Sequence, residues 1–318
     1  MNLPFDFAER LKVPLIAAPM FLVSCPALAV AACRAGVIGS YPAHSTRTRS
    51  DFADWLDETE AALAQAEADG ERPAPYAVNL VVHPSNPRMR GDLALCIEHK
   101  VPIILTSKGA PMEVFDEIHA YGGVAFHDVA SRRHAEKALA AGADALIAVC
   151  GGAGGHTGTI NPFALVNEIR EVTDKPIILA GGMSCGKDIL AAEAMGASLV
   201  YMGTRFIATH ESLAPDDYHH ALIDGGANDI YFTAALDGAP ANFLTPSLLA
   251  AGIDLKRLAV TPPGEIISAT KVKERYKGIW SAGHGVGAVR EVVSASALCE
   301  RIVAEYEAAR RAFARRIA

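Results

Sequence analysis

Short, almost wholly apolar runs alternate along this chain with longer stretches whose apolar positions recur at helical spacing. Leu15–Ala18 reads as a first buried strand and Pro26–Ala35 as the helix after it, closed by Gly36. Val37–Ser40, Tyr76–Val82, Pro102–Thr106, Gly123–Phe126, Ala145–Val149, Pro176–Ala180 and Leu199–Met202 repeat the strand signal. Between them, helices are predicted over Asp51–Ala68, Asn86–His99, Met112–Tyr121, Ser131–Ala141, Pro162–Glu171 and Asp188–Met195. The first carries Phe52, Trp55, Leu56 and Leu63 on one face. Ser131 and Asn161 are the residue types that cap helix N-termini. Strands alternating with helices argue for parallel βαβ units, and strands apolar on both faces argue for burial on both sides. Eight units in series predict an α/β fold, a (β/α)8 TIM barrel. The competing doubly wound sheet lacks its fingerprint, because the first turn is Ala18-Pro19-Met20 and not GxGxxG.

The rhythm breaks after the eighth strand. Residues 209–263 are rich in Gly, Pro, Asp and Asn, with one helical stretch at Asp216–Ile223. They read as an insert that caps the barrel or makes a subunit contact, a homodimer included. Residues 1–208 and 264–318 then form the barrel with a C-terminal helical tail. That tail is expected to be mostly helical from Glu265 onward, with Leu298, Ile302, Tyr306 and Phe313 on its apolar face.

Composition narrows the function classes. Half of the 318 residues are hydrophobic, ample for a large core, and the net charge of −7 argues against nucleic-acid binding. Arg310, Arg311, Arg315 and Arg316 suit the end of a helix by its dipole. Val13–Cys33 is apolar enough to span a bilayer, but Pro14, Pro19 and Pro26 break it, so no membrane segment is expected. Six cysteines without a CxxC pair, and no His cluster at zinc-ligand spacing, predict reduced thiols in a cytoplasmic protein without a metal.

In a barrel the chemistry belongs at the C-terminal strand ends, and the unusual residues fall there. Strand three ends in Asn79, strand four in Ser107-Lys108-Gly109, strand five in His127-Asp128. Gly181-Gly182 and Gly203-Thr204 close strands seven and eight. Glycines there admit an anion close to backbone N–H groups, which predicts a phosphate site. Strand six runs into Cys150-Gly151-Gly152-Ala153-Gly154-Gly155-His156-Thr157-Gly158. That loop lets the backbone pass close under a planar ligand while presenting an imidazole suited to proton transfer. His127 is read either as a ligand contact or as a buried structural hydrogen-bonder. His44 and His83 follow strands two and three and are candidates to line the mouth, and Cys150 is read as a small buried thiol.

These motifs together resemble the nitronate monooxygenase family, formerly called 2-nitropropane dioxygenases. The resemblance rests on Ala18-Pro19-Met20, Asn79, the Ala153–Gly158 run, Leu179–Met183, Met202–Phe206 and the late Trp280–Gly287 segment. It implies FMN at the top of the barrel, with phosphate on Gly181, Gly182, Gly203 and Thr204. It implies that Pro19, Met20 and Asn79 contact the flavin and that His156 is the active-site base; Ala18, His127 and Gly154, at the same strand ends, are further candidate flavin contacts. The implied reaction converts alkyl nitronates and O2 to a carbonyl compound and nitrite. Members of the same superfamily are NAD(P)H-dependent reductases of quinones or enoyl thioesters, and a flavin-binding protein without turnover is a third reading. The chain departs from the better-known members at Gly152, where they carry Glu, and at His284, where they carry Gln.

Overall fold

The computed structural model describes residues 3–109, 112–236, 238–262, 265–266 and 278–317. Nine strands precede the insert: β1 Leu15–Ala17, β2 Gly39–Pro42, β3 Tyr76–Val81, β4 Ile103–Ser107, β5 Val124–Val129, β6 Ala145–Val149, the two-residue β7 Gly155–His156, β8 Ile177–Ala180 and β9 Leu199–Met202. All but β7 form one parallel sheet in the order β1-β9-β8-β6-β5-β4-β3-β2. Ala17 N donates to Ile38 O at 2.8 Å and Ile38 N to Leu15 O at 3.1 Å, and this joins the two edges. The sheet is therefore the closed eight-stranded barrel that the apolar runs predict.

Alternation along each strand sorts the core into two layers. Ile16, Ile38, Ala77, Ile103, Leu105, Phe126, Ile147, Ile178 and Leu199 fill the lumen. Val78, Ile104, Leu146 and Val200 point outward under the helices. Leu3, Phe5, Phe7 and Leu11 of the N-terminal segment join the lumen cluster, with Phe5 5.3 Å from the ring of Phe126. The N-terminal end of the barrel is thereby plugged with apolar side chains, and the opposite mouth is left for chemistry.

The helices on the barrel are α1 Pro26–Arg34, α2 Arg49–Ala68, α3 Met89–Glu98, α4 Met112–Ala120, α5 Arg132–Ala140, α6 Pro162–Arg170, α7 Gly186–Ala194 and the short α8 Thr204–Ile207. Ser131 and Asn161 cap α5 and α6 as expected, accepting from His134 N and Phe163 N. Two helices start earlier than their apolar pattern. In α2, Asp51 accepts from Thr48 N at 2.9 Å; in α7, Asp188 accepts from Ser184 N at 2.8 Å. Each carboxylate is the third residue of its helix and satisfies N–H groups just outside it.

The insert is more ordered than its composition suggests. It holds α9 Asp216–Asp224, β10 Ile230–Thr233, β11 Ala241–Leu244, α10 Thr245–Ala250 and α11 Leu255–Val260. β10, β11 and β7 make an antiparallel sheet of their own. The C-terminal helix expected of the tail is present, but it begins late. Residues 278–294 are irregular apart from a 3-10 turn at His284–Ala288, and only Ala295–Ile317, α12, is a long helix. Residues 267–277 lie outside those described. Leu298, Ile302 and Tyr306 are buried on α12 as predicted, but Phe313 is 49 % exposed. Among the described residues no helix is long and apolar enough to cross a membrane. All six cysteines are unpaired.

Candidate active site at the barrel mouth

The loop after β6 is held in one shape by its own backbone. Thr157 Oγ1 donates to Cys150 O at 2.8 Å, and Gly151 N donates to Ile160 O at 2.8 Å. Gly158 has no room for a side chain, since a Cβ there would stand 2.3 Å from Val149 O. The far flank is β7, where His156 pairs with Ala241 and Gly155 with Asn242 of β11. Thr157 N donates to Pro240 O, and the buried Asn242 amide donates to Ala153 O at 2.7 Å. Barrel and insert thus grip this loop from both sides, and the His156 side chain is presented exposed at the mouth. Burial pushes the Cys150 thiol up to about 12, so it is a thiol and not a nucleophile at neutral pH.

The turn after β8 lies against the same loop. A Cβ on Gly181 (φ +131°) would meet Ala153 N and Cys150 O, both at 3.2 Å. Gly182 (φ +76°) has open space where its side chain would be. The first turn of α7 is already satisfied: Ser184 N and Cys185 N donate to Asp188, and Gly186 N to Glu305. The N–H groups of Gly182 and Met183 have no acceptor among the described residues, so the turn and not the helix end is where an anion fits.

The late glycine segment ties three strand-end loops together. Gly283 N donates to Thr204 Oγ1 at 2.9 Å, His284 N to Gly152 O at 2.9 Å, and Ser184 Oγ to Gly285 O at 2.8 Å. Contact is close enough that a Cβ on Gly283 would lie 2.5 Å from Gly152 O. Thr204 keeps its hydroxyl proton to donate. Gly283 and Gly285 thus stand where the chain threads between loops with no room for a side chain.

Across the mouth, Ala18 N donates to Met202 O at 3.0 Å, and Met20 N donates to Ser24 Oγ at 2.9 Å. These bonds set Met20 and Ala18 beside Gly203, whose Cβ position is 3.5 Å from Met20 Sδ and 3.6 Å from Ala18 Cβ. Pro19 lies between them, half-buried. Asn79 is buried at the lumen end of β3 and donates to Leu105 O at 2.9 Å. Phe21 stacks on His44 at 4.9 Å, and Leu22 N donates to Ser45 Oγ, which couples the loops after β1 and β2. Burial lowers the His44 imidazole to about 4, aided by the charges of Lys108, Arg88 and His156, so it is neutral at physiological pH. Lys108 itself has φ +60°, strained for a non-glycine residue.

His127 is buried on the outer side of β5. Its ring bonds Thr106 Oγ1 at 2.7 Å and stands edge-on to Phe115 of α4, outside the lumen. Strand alternation turns its ring away from the lumen. His83 is exposed and bonds Ser85 within its own turn. Sequence reasoning missed Asn242, because its partner lies 89 residues away in the chain. It also missed Asp128, whose orientation follows only from the register of β5.

A turn with room for an anion, a mobile-proton side chain and apolar edges from Met20 and Ala18 together fit a flat cofactor with a phosphate end. The family model for nitronate monooxygenase matches residues 85–305. The chain belongs to the nitronate monooxygenase family. That makes it an oxidoreductase of a flavoprotein family. It is 31 % identical to a nitronate monooxygenase of Paraburkholderia phytofirmans over 280 residues, 76 % of each chain. It is 30 % identical to the (3aS,4S,5R,7aS)-5-hydroxy-7a-methyl-1-oxo-octahydro-1H-indene-4-carboxyl-CoA dehydrogenase of Rhodococcus jostii over 236 residues. That match spans 74 % of this chain and 64 % of the relative. The structure of a nitroalkane oxidase from Streptomyces ansochromogenes superposes with a TM-score of 0.80 at 25 % identity, covering 96 % of this chain and 99 % of that one.

Proposed function

We propose that this family member binds FMN and oxidises alkyl nitronates with O2 to a carbonyl compound and nitrite, with His156 as the base toward neutral nitroalkanes. The observation that carries the reading is the pinned loop: Ala153 and Cys150 pack on Gly181 while the same loop presents His156. Bound FMN would supply the redox chemistry between substrate and O2. One turn suited to phosphate and no dinucleotide fingerprint favour FMN over FAD. Gly181, Gly182, Gly203 and Thr204 would hold the phosphate; Ala18, Pro19, Met20, Asn79 and Gly154 would border the ring.

His156 takes the proton from the carbon next to the nitro group, then as imidazolium offsets the negative charge left on the nitro oxygens. Asn242 and Thr157 hold the backbone from which it acts. Residues 209–263 serve as a cap that fixes the His156 loop, and residues 1–208 with 264–318 serve as the flavin-binding barrel. Six unpaired thiols suit a reducing, cytoplasmic setting.

A second reading, NAD(P)H-dependent reduction of a quinone or an enoyl thioester, draws on the likeness to the Rhodococcus CoA dehydrogenase; Gly152 and His284 leave the substrate open between the two. Steady-state oxygen consumption with an alkyl nitronate, set against NADH oxidation with a quinone or an enoyl-CoA, separates the two. Nitronate-dependent oxygen uptake with nitrite release supports the first. NADH oxidation with no response to nitronate replaces it with the second.

A further inference from the structure

Near its C-terminal end β5 carries two ionisable side chains, His127 and Asp128, that face opposite ways. Phe126 points into the lumen against Phe5, His127 points outward against Phe115, and Asp128 therefore points back into the lumen at the open mouth. Its Oδ1 is fully enclosed and has no hydrogen-bond partner. No ion pair reaches it among the described residues. Its neighbours do not compensate. β6 sets Ile147 directly beside it, with Val149 one lumen position further on. β4 ends in Ser107, beyond the Thr106 that pairs with His127. From β9, Tyr201 faces it; burial and the Asp128 charge both raise that phenol, so it stays neutral. Asn79 on β3 spends its amide on Leu105 O. Lys108 and His156 are the cationic or titratable groups on the adjoining loops, and their charges reach His44.

A buried carboxyl oxygen without a partner is costly unless it is protonated or meets a ligand. Burial alone pushes the Asp128 carboxyl up to about 7. The space it faces is the one that the proposed flavin ring would cover.

We propose that Asp128 faces the bound flavin and takes up one proton when that flavin is reduced. The inference rests on the flavin reading above. Two-electron reduction leaves negative charge on the cofactor, which disfavours a carboxylate beside it. Two electrons from the substrate and one proton enter the cofactor; a second proton, from water, enters the Asp128 carboxylate. No protein bond breaks. Below neutral pH the carboxyl already holds its proton, and the extra uptake vanishes. Asp128 thus links the driving force for substrate oxidation to pH without touching the substrate.

The test measures the flavin midpoint potential and the visible flavin spectrum of the holoenzyme from about pH 5.5 to about pH 9, for the unmodified protein and Asp128→Asn. Asp128→Ser serves if the Asn variant does not fold. The unmodified enzyme should show a spectral transition near neutral pH, and above it one more proton taken up per two-electron reduction than the variant. Identical pH profiles in the two proteins overturn the proposal, as does an unmodified enzyme with no transition over that range. A second measurement needs no flavin. With its acid raised, Asp128 stabilises the fold fully below the ordinary carboxylate range and loses that contribution as pH rises through about 7. Asp128→Asn should flatten that slope. Protein that keeps the slope but binds no FMN overturns the flavin reading and leaves Asp128 a half-buried acid with one enclosed oxygen.

Discussion

Gly152 and His284 occupy one shared space: a Cβ on Gly152 would lie 3.1 Å from His284 Nδ1. These are the two positions at which the chain departs from the better-known members it resembles. His284 N also donates to Gly152 O at 2.9 Å, so backbone and side chain meet at the same point. The departures form one unit, at the base of the loop that presents His156.

Replacing Gly152 with Ala should show this coupling. The position has φ +95°, where an L side chain costs about 1–3 kcal/mol, and the new methyl also crowds the imidazole. Adding His284→Ala should recover the crowding part and leave the backbone strain. Denaturant unfolding of both single variants and the double should give a coupling above about 0.5 kcal/mol. Strict additivity would show that the two residues do not share the space.

The two glycine turns should respond differently. At Gly182, Val is strained at φ +76° and fills the open space that the phosphate needs. FMN should bind at least about tenfold more weakly, or ~1.4 kcal/mol. Gly203 has φ −103°, ordinary for any residue, and a Cβ there makes normal contact with Met20 Sδ. Gly203→Ala should keep both fold and flavin. Fluorescence titration of the stripped protein with FMN checks both, and the reverse ranking would move the phosphate elsewhere.

Asn242 tests whether the insert positions the base. Asn242→Ala leaves the Ala153 carbonyl without its buried donor, at a cost of about 1–3 kcal/mol. Flavin content should hold while turnover drops several-fold. Unchanged turnover in a folded variant would mean that β7 alone sets the position of His156.

His127 and His44 predict acid sensitivity. Burial lowers both to about 4, below their ordinary value, so the unfolded chain binds protons more readily between that value and about 6.5. Their neutral burial is fully tolerated above about pH 6.5, and stability is lost as pH falls toward 4. His127→Asn should reduce that acid slope and retain FMN, because the ring lies outside the lumen. Loss of FMN in a folded variant would restore His127 as a flavin contact.

The barrel was legible because most of its strands are buried on both faces and read as apolar runs; β2, Gly39–Pro42, is buried but reads as no such run, and the apolar run Val37–Ser40 marks only its start. Helix starts were less so: Asp51 and Asp188 satisfy backbone donors outside the apolar repeat, which hydrophobic spacing does not register. The His156 loop was visible through its glycines, as were Gly181, Gly182 and Gly203. Its clamp was not, because β7 has two residues and its partner Ala241–Leu244 lies far along the chain. His127 and Asp128 show the remaining gap. Adjacent in sequence, they face opposite layers of the barrel, and only the register of β5 assigns each side.

The proposed role of His156 is to remove the proton from a neutral nitroalkane. His156→Asn keeps a polar side chain of similar size and removes the base, and general-base catalysis contributes roughly 10²–10⁴-fold. The deciding measurement compares turnover of a neutral nitroalkane with that of its preformed nitronate in this variant, at unchanged FMN content. A loss in that range with the nitroalkane and a much smaller loss with the nitronate are expected. Equal, small losses with both substrates would contradict it and leave His156 a structural residue of its loop.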